Sequence, residues 1–368
     1  MRATWKRSLV LPAFLLLFTT AFLETLGQSL SVIPDDVKAS MLARVESGLN
    51  MGIVLGAVSA SGTEFYSVGY VSAARSAEVD ETTVFEIGSV GKTFTGILLA
   101  DAVGRGDVRL EDPIQQYLPK TVTVPTRFGR EITLLHLTTH TSGLPAIPDN
   151  LAPADEMNPY ADYTVALLYE FLSAYRLPSL GTRYLYSNAG FGLLGHILEL
   201  RTGTNYEELL ATRLTSLLGM TSTVMTPTAE IANRLATGYR GGEAFPRWDN
   251  PTLAGAGGGV STATDLAIYV AANLGLRETS LAESLAASHK SHFEAGELRL
   301  GLGWNLRWSP GGTIVEHHGA TGGAWAYVGF IKERQVGVVV LTNTYEDIDD
   351  LGRHILDPSY SLRIQGSS

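Results

Sequence analysis

The chain has no cysteine. Thiol catalysis, a disulfide framework, a Cys-ligated zinc site and an N-terminal lipid on cysteine are therefore excluded. Charge is scarce: 17% of residues are charged, 27 basic against 37 acidic, for a net charge of −10. That balance argues against nucleic acid or an anionic membrane surface as a partner. Low-complexity linkers and internal repeats are absent, and 45% of the residues are hydrophobic, so a folded chain is expected rather than a disordered one. None of the eight histidines sits in a His-Glu-x-x-His pattern. His317 and His318 are adjacent, and in a strand they point to opposite faces, so they cannot readily share one ion. No metal site is expected. There is no Gly-x-Ser-x-Gly elbow, because Ile87 stands two residues before Ser89. Gly91-Lys92-Thr93 resembles the end of a phosphate loop, but Glu86 occupies the place of its first glycine and would repel phosphate.

The one long apolar run lies at the start. Arg2, Lys6 and Arg7 precede Leu9–Leu23, which Glu24 closes. These are the charged and apolar regions of a secretory signal, residues 1–27, with cleavage before Gln28. If left uncleaved, the segment would be the only membrane contact. A periplasmic or secreted location follows as an expectation.

Apolar periodicity organises the rest. Val37, Met41, Val45 and Leu49 mark a helix behind Asp35 and Asp36. Ile53–Ala60 and Glu64–Val71 read as a hairpin turning at Ser61-Gly62. A helical stretch follows from Ser89 to about Val103. The middle is helical or irregular, with helices over Thr164–Tyr175, Asn188–Leu200 and Thr204–Leu218, the last opening on a Thr204-x-x-Glu207 capping box. A glycine-rich loop, Ala254–Gly259, precedes a helix over Ser261–Leu274. Strands return at Leu300–Trp308, Thr313–His317, Ala324–Lys332 and Gln335–Thr342, and the final helix is Asp347–Leu356. Short turns favour antiparallel pairing. The predicted fold is α+β: an antiparallel sheet built from both chain ends and flanked by helices. The sheet domain is placed at 28–103 and 250–368, and an inserted helical domain at 104–249.

Three short elements carry the candidate chemistry. Ser89-Val90-Gly91-Lys92 puts an amine three residues from a hydroxyl, on one helix face. Serine needs a neighbouring base, and Lys92 serves only if burial or another cation lowers its pKa. Tyr186-Ser187-Asn188 offers a phenol for proton relay and an amide for a substrate carbonyl or Lys92. His317-His318-Gly319-Ala320-Thr321-Gly322-Gly323 offers a strand edge of small residues, whose Ala320 amide can join that of Ser89 as an oxyanion hole.

In that order, the three elements resemble the serine β-lactamase and penicillin-binding-protein superfamily, in the branch of class C β-lactamases, DD-peptidases and related esterases. Phe85–Ser89, Leu134–Pro145, Leu218–Thr221 and Gly301–Trp304 extend the likeness across roughly residues 34 to 357. The resemblance implies a β-lactamase/transpeptidase-like fold and two-step acyl transfer without a cofactor, with the Ser89 proton taken by Lys92 or Tyr186. By position, Ser89 resembles the acylated nucleophile, Lys92 its base partner, Tyr186 the relay tyrosine and Asn188 the residue holding substrate amide and Lys92. His317 and Gly319 occupy the first and third places of the family's Lys-Thr-Gly strand, and Ala320 supplies the second oxyanion donor. Two positions depart from the pattern: Gly91 stands where Ser or Ala precedes the lysine, and His317 replaces the strand lysine. The second puts efficient penicillin or cephalosporin hydrolysis in doubt, because a neutral histidine lacks the fixed cation suited to a substrate carboxylate. The expected activity is amide hydrolysis of β-lactams or D-Ala peptides; the alternatives are a carboxylesterase and a sensor that acylates without turnover. A monomer acting on a small molecule or peptide is expected.

Overall fold

Among the described residues the strands, in chain order, are β1 (Gly52–Ser59), β2 (Gly62–Gly69), β3 (Val84–Glu86), β4 (Gly238–Arg240), β5 (Glu243–Phe245), β6 (Val260–Thr262), β7 (Phe293–Ala295), β8 (Leu298–Leu300), β9 (Asn305–Ser309), β10 (Gly312–Ala320), β11 (Trp325–Ile331) and β12 (Val336–Thr342). They belong to a computed structural model that describes Met1 and residues 32–363. Apart from its first residue, the predicted targeting segment lies outside the described residues. Eight strands form one sheet in the order β2-β1-β12-β11-β10-β9-β8-β7. Every neighbouring pair is antiparallel, and Ile53 of β1 faces Thr342 of β12. The expected antiparallel sheet from both chain ends is thus present, with helices on its two faces.

The sequence of β1 explains its central place. Ile53, Val54, Leu55, Ala57 and Val58 are all buried, so both faces of the strand are covered. Helix Ala263–Leu274 packs on β1 and β12 from one side, and helix Asp349–Leu356 packs on β11 and β12 from the other. Strand β2, at the sheet edge, is only half-buried. Residues from Ile33 onward pack as one unit. Among the described residues, no helix is long and apolar enough to cross a membrane.

Several expectations are corrected. The helix after Gly203 is capped by Asn205, whose side chain accepts from the Glu208 amide; Thr204 instead pairs with the Thr202 hydroxyl. Asn205 wins because its carbonyl reaches the third helical amide one residue closer to the turn. The expected strand Leu300–Trp308 is two strands, β8 and β9. Between them the chain turns at Gly303, which has φ +78°, and buries Trp304 with its indole donating to Ser288. The last helix starts at Asp349, and the first ends at Glu46, leaving Leu49 exposed. Strands β4, β5 and β7 and helix Ala282–Ser288 carry too little apolar periodicity to be read from sequence.

Candidate active site

Strand β3 runs into a single 3-10 turn, Gly88–Val90, and then into helix Gly91–Gly104. Ser89 therefore sits at the amino end of a helix, where the backbone dipole favours negative charge on its oxygen. Lys92, one helical turn on, is wholly buried. Its Nζ lies 2.9 Å from Ser89 Oγ and donates to Asn188 Oδ1 at 2.8 Å and to the Ala256 carbonyl. Burial holds the amine well below the ordinary lysine range. The Tyr186 phenol donates to Ser89 Oγ at 2.7 Å, and burial raises its pKa well above the usual tyrosine value. The two side chains are thus pushed in opposite directions: the amine toward neutrality, the phenol toward keeping its proton.

Tyr186 and Asn188 flank the start of helix Asn188–Thr202, which Ser187 caps by accepting from the Gly190 amide at 2.8 Å. Ser187 Oγ also donates to the Pro145 carbonyl at 2.8 Å. His140 completes the support. Its Nδ1 accepts from the Ser187 amide at 3.0 Å, and its ring lies 4.5 Å from that of Tyr186. Burial keeps His140 neutral by pushing its pKa well below the ordinary histidine value. Sequence reasoning assigned His140 no role, although it lies inside the Leu134–Pro145 run. The same holds for Ala256, whose contribution is a carbonyl oxygen.

Strand β10 closes the cleft. Beyond Glu316 it has no partner on the β9 side, and residues 317–320 lie along the 3-10 turn. The approach is close. A Cβ on Gly319 would come within 2.0 Å of the Ile87 carbonyl and 2.6 Å of the Ser89 nitrogen, so only glycine fits. A Cβ on Gly88 would likewise reach 2.7 Å from the Ala320 nitrogen. Ser89 and Ala320 therefore border one narrow cleft, walled by Tyr160, Trp248, Asn250 and Thr321.

His317 is buried, and its Nδ1 lies 2.6 Å from the His318 carbonyl. A carbonyl only accepts, so Nδ1 carries the proton and Nε2 is left as an acceptor. Burial, helped by His318 and Lys92, pushes its pKa down to about 3. His318 points the other way, half-exposed, with Nδ1 at 2.9 Å from Asp349. The structure thus gathers Ser89, Lys92, Tyr186 and Asn188 into one hydrogen-bonded group and brings Gly319 and Ala320 against it. His317, at the start of that stretch of β10, is buried as a neutral ring.

The beta-lactamase family model matches residues 43–356. A beta-lactamase of Escherichia coli K12 is 30% identical over 349 residues, covering 84% of this chain and 89% of that one. The D-alanyl-D-alanine-carboxypeptidase/endopeptidase AmpH of the same organism is 29% identical, covering 79% of this chain and 78% of its own length. Among solved structures, a class C beta-lactamase from Rhodobacter sphaeroides superposes with a TM-score of 0.78 at 26% identity, covering 89% of this chain and 98% of that one. A beta-lactamase/D-alanine carboxypeptidase from Pseudomonas syringae does so at 0.79 and 25%, covering 89% and 99%.

Proposed function

The chain belongs to the beta-lactamase family and is a serine hydrolase of the β-lactamase and DD-peptidase type, and we propose that it is an exported enzyme that cleaves amide bonds of β-lactams or D-Ala peptides through an acyl-enzyme on Ser89. The observation that carries this reading is the pair of contacts on one hydroxyl: Lys92 at 2.9 Å and Tyr186 at 2.7 Å. Asn188 Oδ1 and the Ala256 carbonyl take two N–H groups of the amine. In a neutral amine the third direction is the lone pair, and it faces Ser89 Oγ. Lys92 is then the base. Ser89 attacks the substrate carbonyl, its proton passes to Lys92, and Tyr186 returns a proton to the leaving group and is recharged from Lys92. The amides of Ser89 and Ala320 hold the oxyanion, and water releases the acyl group in the second step. Export rests on the signal-like start of the chain.

A second reading, a carboxylesterase on the same fold, is favoured by one observation. His317 is buried and neutral where the family pattern has a lysine, so no fixed cation there meets a substrate carboxylate. Brief exposure to penicillin followed by whole-protein mass spectrometry tests the main reading. A mass gain on the native chain and none on Ser89→Ala is expected. Absence of any adduct, with steady turnover of short-chain p-nitrophenyl esters, would select the esterase.

A further inference from the structure

Glu86 is a buried carboxyl beside the cleft that the scheme above does not use. It closes β3, three residues before Ser89, and is 7% exposed. Its Oε2 accepts from the Trp248 backbone amide at 3.2 Å. The wholly buried Thr321 hydroxyl faces the same carboxyl but completes no hydrogen bond of ordinary geometry. Both neighbours are cleft walls. Thr321 follows Ala320, the second oxyanion donor of the proposed mechanism. Trp248 belongs to a strap, Arg247–Asn250, that is fastened on its far side. Its indole donates to the Met157 carbonyl at 3.0 Å and packs on Tyr160, and Asp249 exchanges two hydrogen bonds with Asn158.

We propose that Glu86 is a positioning residue: its carboxylate ties the Trp248 strap to the Thr321 end of β10, and its protonation loosens both walls and slows acyl transfer. The ionised form accepts from the Trp248 amide and offers its remaining acceptor capacity to the buried Thr321 hydroxyl, and charge-assisted bonds are roughly twice as strong as neutral ones. The acid form has one fewer acceptor and a proton of its own to place. Burial raises the group to about 7, opposed by the Trp248 amide, Thr321 and Arg247 and reinforced by Asp249. These are the polar and charged groups facing it from the strap and from β10; on β6 its partner is the apolar Val260. The switch therefore works near neutral pH, with the tied state on the alkaline side.

The proposal rests on Ser89 being the acylated group, so the test uses a fluorophosphonate probe, which labels a reactive serine whatever the natural substrate. The labelling rate is followed from pH 5 to 9 for the native chain, Glu86→Gln and Thr321→Val. Glutamine keeps an acceptor for Trp248, so the fold is preserved. The native rate is expected to carry an ionisation near neutrality, in addition to that of Lys92. Glu86→Gln removes it and lowers the rate on the alkaline side by about fivefold, the difference between a charge-assisted and a neutral bond. Thr321→Val, which removes the hydroxyl that faces the carboxyl, moves that ionisation to higher pH. A Glu86→Gln profile that superposes on the native one, or that lies below it by one factor at every pH, overturns the proposal. So does Thr321→Val leaving the midpoint in place. Labelling with an unchanged profile overturns Glu86 alone; no labelling at any pH overturns Ser89 as well.

Discussion

Replacing Lys92 by methionine separates chemistry from fold. The side chains are similar in length, and the pocket is fully closed, so the thioether fits where the amine was. Two effects on stability oppose each other. Asn188 Oδ1 and the Ala256 carbonyl lose their donor, at about 1–3 kcal/mol for each buried acceptor left unmade. Against that, the amine no longer has to be buried, and its lowered pKa indicates that this burial is costly. Partial cancellation leaves Lys92→Met within about 3 kcal/mol of the native chain, enough to remain folded if total stability is about 5–15 kcal/mol. Activity has no such compensation. Removing a positioned base typically costs about 10²- to 10⁴-fold. Acylation of Ser89, followed by stopped flow with a chromogenic ester or by probe labelling, should fall by at least a hundredfold, roughly 2.7 kcal/mol of barrier, while urea unfolding stays cooperative. The stability profile gives a second check. With the folded pKa depressed, the folded state binds fewer protons than the unfolded state between that value and the ordinary lysine value. Native stability therefore rises with pH through this window, and Lys92→Met loses the slope. A folded Lys92→Met protein that acylates within tenfold of the native rate would refute the assignment of the base.

Tyr186→Phe keeps the ring on His140 and removes only the phenol on Ser89. Leaving-group expulsion should slow by about 10²-fold or more for amides and by less for p-nitrophenyl esters, whose leaving group needs no proton; equal losses on both would count against the relay. His317 is buried neutral with its pKa near 3, so between that value and 6.5 the unfolded chain takes up a proton that the folded chain refuses. Folding stability should rise with pH across that window and level off above it, and His317→Gln should reduce the slope by about 1.4 kcal/mol per pH unit in urea titrations. An unchanged slope would mean that the ring is not protected. Behind the sheet, Arg353 holds the buried Glu316 with two hydrogen bonds of 2.9 and 3.0 Å. Arg353→Ala should cost about 3–5 kcal/mol, because Glu316 loses its main partner; a loss below 1 kcal/mol would show that Arg307 and Tyr327 suffice.

Where local pattern carries the information, the sequence was readable. Apolar runs located β1, β10, β11 and β12, and the spacing of Ser89 and Lys92 placed amine and hydroxyl on one helical face. Tyr186 and His317 stood out for the groups they offer, and the family resemblance gave each a definite role. What could not be read depends on contacts between distant segments. Ala256 acts through a carbonyl, which every residue has, and His140 through a ring packed against that of Tyr186. Glu86 looked only like an obstacle to phosphate, and its tie to Trp248 exists only once the strap folds over β3. The capping box failed because Thr204 and Asn205 compete for one helix end and differ by a single residue.

The pairing of β1 with β12 has a kinetic consequence. The second hydrogen-bonding edge of β1 is satisfied by a strand made almost last. A growing chain that has already produced the β1–β2 hairpin must keep an apolar ribbon uncovered until Val336–Thr342 emerges. Such long-range closure is slow and exposed to aggregation. Truncations that stop short of Val336 should therefore yield insoluble product rather than a smaller working enzyme.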